Sequence, residues 1–170
     1  MTGIIVPAAA GSDCTAFALP RISQVGVVVR DVRRAAEYYS FMFGLGPFTI
    51  YDFTPDKQWY KEQPSHLTMR QGKTMWGDIE LELMQPLEGE SLFQDYLDEV
   101  GEGIQHLGFN VRSFDEAASA MRTAGFEPVM RAESYVETYQ GIVKAAVFDT
   151  RRVGGMLFEV IWKSWLPECA

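Results

Sequence analysis

Apolar residues change their spacing several times along the chain, and each change marks an element. Residues 21–30 are β-branched and nearly continuous in apolar side chains, the pattern of a well-buried strand. Asp31 then stands where a helix cap belongs. Val32, Ala35, Ala36, Tyr39, Met42 and Phe43 recur at helical spacing until Gly44 stops the helix. Residues 47–53 read as a second strand, followed by a polar, aromatic loop through Trp59 and Tyr60. Residues 65–70 and 77–85 read as strands three and four, with Gly72 turning between them and Pro86 ending the ladder for want of an N–H.

The pattern is then written a second time. Gln24-Val25-Gly26-Val27-Val28-Val29-Arg30 returns as His106-Leu107-Gly108-Phe109-Asn110-Val111-Arg112. Ala35-Ala36 falls on Ala117-Ala118, a glycine closes each following segment at Gly44 and Gly125, and Leu81-Glu82-Leu83-Met84 resembles Phe158-Glu159-Val160-Ile161. A repeat of this kind means two similar modules. Between them a short helix is expected over 91–100, with Leu92, Phe93, Tyr96 and Leu97 on one face. The second module reads as a strand over 104–111, a helix opened by Ser113 and Glu116 at capping-box spacing, and strands over 128–132, 143–149 and 156–162. The expected organisation is an extension over 1–20, a first module with its linker helix over 21–100, and a second module with a tail over 101–170. The fold class is α+β. Each β-α-β-β-β module covers one sheet face with its helix, and pairing the bare faces makes a curved half-barrel around a shared central cavity.

Alternation places Gln24, Gly26 and Val28 on one strand face, His106, Gly108 and Asn110 on another, Glu80, Glu82 and Met84 on a third, and Leu157, Glu159 and Ile161 on a fourth. Gln24, Glu82, His106 and Glu159 thus occupy equivalent places in the two halves, and together they make a plausible cage for a divalent cation. Taken singly, each has a plainer account. Glu82 alternates with Glu80, so exposure and burial are evenly matched. Glu159 sits in too apolar a strand to be casually exposed. His106 alone reads as a satisfied core histidine, and Gln24 as a neutral hydrogen-bonding residue.

Composition narrows the classes. The chain has 170 residues, 47% of them hydrophobic and 22% charged, which suits a globular domain rather than a disordered one. A net charge of −8 disfavours nucleic acid, which needs a basic face. Cys14 and Cys169 have no metal spacing and form no disulfide framework, so a reduced, cytoplasmic setting fits. No apolar run reaches the ~18 residues of a membrane span, and 4–10 lacks the preceding basic residues of a secretory signal.

The stretches Gln24-Val25-Gly26 with the following Arg30-Asp31, Glu82-Leu83-Met84-Gln85-Pro86, Gly101 to Phe109 and Gly154 to Glu159 resemble the vicinal oxygen chelate superfamily, which includes glyoxalase I, methylmalonyl-CoA epimerase, extradiol dioxygenases and bleomycin-resistance proteins. The resemblance is strongest to the epimerase branch and spans about residues 21–163. It implies metal ligands at Gln24, where the family usually has His, and at Glu82, His106 and Glu159. The ion would be divalent: Mn²⁺, Mg²⁺, Co²⁺, Fe²⁺ or Zn²⁺, with hard ions best suited to an oxygen-rich set. The branch's general base, a third-strand glutamate, falls near 65–67, where His66 is the titratable residue; as an isolated residue, His66 reads equally as an exposed strand histidine.

Trp59, Tyr60, Trp76, Tyr135 and Tyr139, with Phe53, are expected to rim a pocket for a hydrophobic or acyl-thioester substrate, and Arg151 beside Arg152 to hold an anionic tail. The resulting expectation is a metal-dependent isomerase or lyase, catalytic through His66 and Glu159, which stabilises an enolate and works as a homodimer. The alternative is a non-catalytic binding or resistance protein with a metal site degraded at Gln24.

Overall fold

The computed structural model describes residues 18–152 and 154–166. Most of the expected N-terminal extension, Cys14, Cys169 and the end of the tail lie outside the described residues. Among the described residues, no helix is long and apolar enough to cross a membrane.

The elements run β1 (Gln24–Val28), α1 (Val32–Phe43), β2 (Thr49–Phe53), β3 (Lys57–Tyr60), β4 (Gln63–Pro64), β5 (Thr68–Trp76), β6 (Ile79–Glu88), α2 (Leu92–Glu99), β7 (Gly103–Asn110), α3 (Phe114–Thr123), β8 (Pro128–Val136), β9 (Gly141–Phe148) and β10 (Leu157–Lys163). The helices start where the sequence says they should. The side chains of Asp31, Ser91 and Ser113 accept from the N–H groups of Arg34, Gln94 and Glu116, each satisfying a donor that the first turn leaves free. Gly44 closes α1 in the left-handed region at φ 67°, a conformation that costs a glycine little.

All strands join one curled sheet in the order β2-β5-β6-β1-β7-β10-β9-β8-β3-β4. Each module follows one rule: β1 lies parallel to β6, and β7 parallel to β10. The antiparallel pair β1–β7 joins the modules at the centre. Period-two alternation then divides the apolar residues between faces. Val27, Val29, Leu81 and Leu83 pack outward against Val32 and Ala36 of α1. Ala146, Phe148 and Val160 do the same against Ala117 and Met121 of α3. On the concave face Val28, Met69, Met84, Val147 and Leu157 form a cluster closed by Leu92, Phe93 and Leu97 of α2 and by Tyr60 of β3. One end of the half-barrel is therefore filled, and the floor near the start of β1 stays open.

Three local expectations are corrected. Gly72 is not a turn. It lies within β5, where an added Cβ would stand 2.7 Å from Val32 Cγ1 of α1, so the missing side chain lets the helix pack down. The turn comes later, at Gly77 with φ 63°. Pro86 does not end its strand. β6 runs on to Glu88 because β1 pairs only as far as Met84, leaving no neighbour on that side that needs the absent N–H. The aromatic loop through Trp59 and Tyr60 is the hairpin β3–β4, and β3 crosses to pair with β8 of the other module.

Candidate functional site

The open floor is built on two glycines. In the β1–β7 ladder Gln24 faces Gly108 and Gly26 faces His106. A Cβ on Gly26 would run into the His106 ring, and one on Gly108 would come within 2.8 Å of Gln24 Oε1. Each glycine thus supplies the space into which the neighbouring strand's polar side chain lies flat. Beyond Gly26 comes Glu82, and beyond Gly108 comes Glu159, each in register.

His106 is the most enclosed member. Its Nδ1 lies 3.3 Å from Gln105 Oε1, and Gln105 Nε2 donates to the Leu92 carbonyl of α2 at 3.1 Å. Gln105 can reach both because it is the extra residue of a β-bulge, where Gly26 pairs with His106 and Val27 with Ile104. The other nitrogen, Nε2, lies 3.2 Å from Glu159 Oε2 and 3.9 Å from Glu82 Oε2. Burial alone would push the imidazole pKa down, but the adjoining carboxylates of Glu159 and Glu82 together outweigh it and hold the group above its ordinary value.

Lys73 of β5 stands directly across from Glu82. Its ammonium is 2.8 Å from Glu82 Oε1 and 3.4 Å from Glu80 Oε1. Burial works against that charge, but the two carboxylates more than compensate and raise the pKa well above the usual lysine range. Glu80 also accepts from Gln24 Nε2 at 2.8 Å. Burial pushes the Glu80 carboxyl up, and the charges of Lys73 and Lys163 pull it below its ordinary value. Tyr51 completes the group, its phenol raised first by burial and modulated by Lys73, Glu82 and Glu80. At the mouth a cavity of about 190 Å³ is lined by Ser23, Gln24, Met75, Glu80, Asn110 and Lys163. Gln24 Oε1 and Asn110 Oδ1 are buried there without a hydrogen-bond partner.

A model of the glyoxalase/bleomycin resistance protein/dioxygenase superfamily matches residues 23–143. The chain belongs to this superfamily. Within the vicinal oxygen chelate superfamily, as it is also called, the chain is similar to YqjC, an uncharacterised protein of Bacillus subtilis (strain 168), with 22% identity over 140 residues covering 82% of this chain and 90% of that protein. It is similar in fold to methylmalonyl-CoA epimerase from Mycobacterium tuberculosis, at TM-score 0.57 and 22% identity over 85% of this chain and 88% of that one. A Streptomyces coelicolor methylmalonyl-CoA epimerase variant in complex with 2-nitronate-propionyl-CoA gives TM-score 0.58 and 21% identity, over 85% and 98% of the two chains.

Vicinal oxygen chelate proteins generally use a divalent metal. The residues here do not fit one in the expected four-ligand form. Glu82 and Glu159 both approach His106 Nε2, but Gln24 turns its amide to Glu80 and makes no bond to the other three. Lys73 already holds Glu82. A dipositive and a unipositive charge about 5 Å apart repel by roughly 7 kcal/mol at an effective dielectric near 20. Among the described residues, no three His, Cys, Asp or Glu side chains are arranged to hold an ion. The carboxylates of Glu80, Glu82 and Glu159 are instead faced by Lys73, Lys163 and His106.

The other expected site residues are not gathered here. His66 is exposed and precedes β5, seven residues from Lys73, roughly 20 Å away at the rise of a strand. Tyr60 is buried in the cluster under α2 with its hydroxyl on Asp95, so it is core. Trp59 packs under the Arg131 guanidinium at 4.9 Å. Trp76 lies on the face of β5 opposite Lys73, 60% exposed. Tyr135 is exposed, and Tyr139 stacks on Trp165 at 4.7 Å. Phe53 packs against the core, and Arg152 lies over Phe126. Arg151 is held by both oxygens of Asp149, which leaves little of its guanidinium for a ligand. Lys73, Tyr51 and Gln105 were missed. Once β5 is drawn through Gly72, alternation puts Lys73 beside Glu82, and that was the available signal.

Proposed function

We propose that the protein is an isomerase or lyase that moves a proton on the carbon next to a carbonyl or acyl-thioester group. One observation carries the reading: an enclosed imidazole, its Nε2 without a hydrogen-bond partner, stands 3.2 Å from Glu159, whose side chain is 14% exposed while that of His106 is 1% exposed. Substrate entering the floor reaches the carboxylate and not the ring. Glu159 is therefore the base, and His106 a positioning residue that orients it and shares its proton. Removal of the α-proton sends the C–H electron pair into a C=C bond and the carbonyl pair onto oxygen; return of a proton to the same face restores the substrate, to the opposite face gives the epimer, and to another atom gives an isomer. Gln24 Oε1 and Asn110 Oδ1, unpartnered at the mouth, would accept from a donor on the substrate. The cavity of about 190 Å³ borders the floor through Gln24 and Glu80 and would hold the part of the ligand next to the reacting end. The resemblance to epimerases makes a 2-substituted acyl-CoA the first substrate class to try.

The test is exchange of the α-proton of methylmalonyl-CoA, and of related 2-substituted acyl thioesters, for deuterium in D₂O, followed by NMR. Exchange that depends on Glu159 supports the reading, and a complete lack of exchange across the series defeats it. A second reading, a non-catalytic small-molecule binder, has its own motive in Gln24, which gives the site an amide where the family has an imidazole. Tight ligand binding without exchange would favour it.

A further inference from the structure

We infer that Lys73 is the resident cation of this site: its ammonium, rather than a divalent ion, meets the carbonyl oxygen of the substrate. The chemical half of the inference rests on the proton-transfer reading above; the electrostatic half stands apart from it.

The placement is specific. Lys73 is in register with Glu82 across the β5–β6 ladder, so the pleat projects both side chains onto the concave floor. The ammonium touches Glu82 and Glu80 at 2.8 and 3.4 Å, yet its side chain remains 26% exposed. An ammonium has three donors. Two are taken by the carboxylates, and the third faces the Tyr51 hydroxyl, which a substrate carbonyl would displace. The site already contains a positive charge where a metal-dependent relative would recruit one. Glu82, the carboxylate a metal would need, is engaged by that charge. Gln24 has exchanged a ligand's role for a hydrogen bond to Glu80, which holds Glu80 beside the ammonium.

In the reaction Glu159 accepts the α-proton, the C–H pair forms the C=C bond, and the carbonyl π pair moves to oxygen, where Lys73 Nζ–H donates to the developing charge. Reprotonation reverses each movement, and nothing is oxidised or reduced. A preorganised donor of this kind acts where charge develops and needs no reorganisation.

The decisive experiment titrates metal-stripped full-length protein with Mn²⁺ at pH 7.5, following free ion by electron paramagnetic resonance, for the wild type, Lys73→Met, Lys73→Gln and Lys73→Arg. The wild type and Lys73→Arg are expected to bind no tighter than millimolar. The two neutral variants, by releasing Glu82, should bind at least ~10-fold tighter. One equivalent of Mn²⁺ bound by the wild type at micromolar concentration would overturn the inference, as would neutral variants that bind no better than wild type. Two neutral substitutions of different polarity guard against a fold defect in one. In parallel, α-proton exchange is run in excess EDTA. The wild type should be unaffected by the chelator, Lys73→Met should lose about 100-fold, and Lys73→Arg should retain part of the rate. Exchange that EDTA abolishes, or that Lys73→Met leaves intact, also overturns it. If no variant shows exchange, the proton-transfer reading fails, and the Mn²⁺ titration still decides whether Lys73 fills the cation's place.

Discussion

Gln24 and His106 stand at matching places in the two halves of the sheet, as do Glu82 and Glu159, but the strands beside them differ. Across from Glu82 is Lys73; across from Glu159 is Val147. Beside Gln24 lies Glu80; beside His106 lies Leu157. Tyr51 and Gln71 of the first half correspond to Ala132 and Ala145 of the second. The first half has thus kept a charged, partly open floor, while the second buries Val147 and Leu157 in the cluster under α2. A duplicated backbone dictates where side chains point, and the residues placed there decide which half meets the substrate and which half anchors. In the proposed division the base comes from the anchored half and the cation from the other, while both halves line the mouth of the cavity.

The largest expected effect comes from exchanging matched carboxylates. Glu159→Gln should lower the α-proton exchange rate by roughly 100-fold or more, since it removes the proposed general base. Glu82→Gln, which leaves the base in place, should cost less. Equal losses would mean that the halves are chemically alike. The matched glycines come next. Gly26→Ala forces a methyl into the His106 ring, which Gln105 pins to α2. Gly108→Ala meets Gln24 Oε1, Gln24 Cβ and Ile161 Cδ1 at 2.8–3.0 Å, and the amide can swing aside. Overpacking costs about 1–3 kcal/mol, and Gly26→Ala should lie at the upper end in urea unfolding, with Gly108→Ala below it.

The pH response should divide in the same way. His106 is raised above its ordinary 6.5 in the folded state, so its contribution is fully present below about pH 6.5 and is lost as pH rises through the folded value. Glu80 is lowered below its ordinary 4.5, so its contribution is present above about pH 4.5 and is lost as pH falls through the folded value. Thermal unfolding from pH 3 to 9 should show an alkaline limb that His106→Gln flattens and an acid limb that Glu80→Gln flattens. If either substitution flattens the other's limb, the two halves titrate as one. The smallest effect belongs to Arg151→Ala. It breaks a largely exposed pair with Asp149, and should change stability by no more than about 0.5 kcal/mol and exchange not at all.

The internal repeat made much of this architecture legible. Two β-α-β-β-β units, the helix caps at Asp31 and Ser113 and the facing positions of Gln24, Glu82, His106 and Glu159 follow from local pattern, because capping and alternation are short-range rules. What stayed hidden depends on long-range partners. Gly72 looks like a turn until α1 is laid over it, and drawing a turn there breaks the alternation that would have put Lys73 beside Glu82. Pro86 looks like a strand end unless it is known that β1 stops at Met84. The aromatic residues mislead for a related reason. Tyr60 is core because α2 folds under the sheet, and Tyr139 has its own partner in Trp165. His66 matches the family's base only by position along the chain, and the course of β5 from Thr68 to Trp76 leaves it exposed and away from the floor.

The hairpin β3–β4 grows from the first half but is stitched to the second. Asp56 Oδ2 accepts from the Tyr135 N–H, Ser134 Oγ accepts from the Asp56 N–H, and the Lys61 N–H donates to the Val129 carbonyl. Severed at the junction, neither half would be a self-sufficient fragment. The second would present the bare rim of β8 and the apolar underside of β10 to water, inviting self-association. The duplication has therefore become an interlocked pair, and the chain is expected to unfold as one cooperative body rather than as two beads on a string.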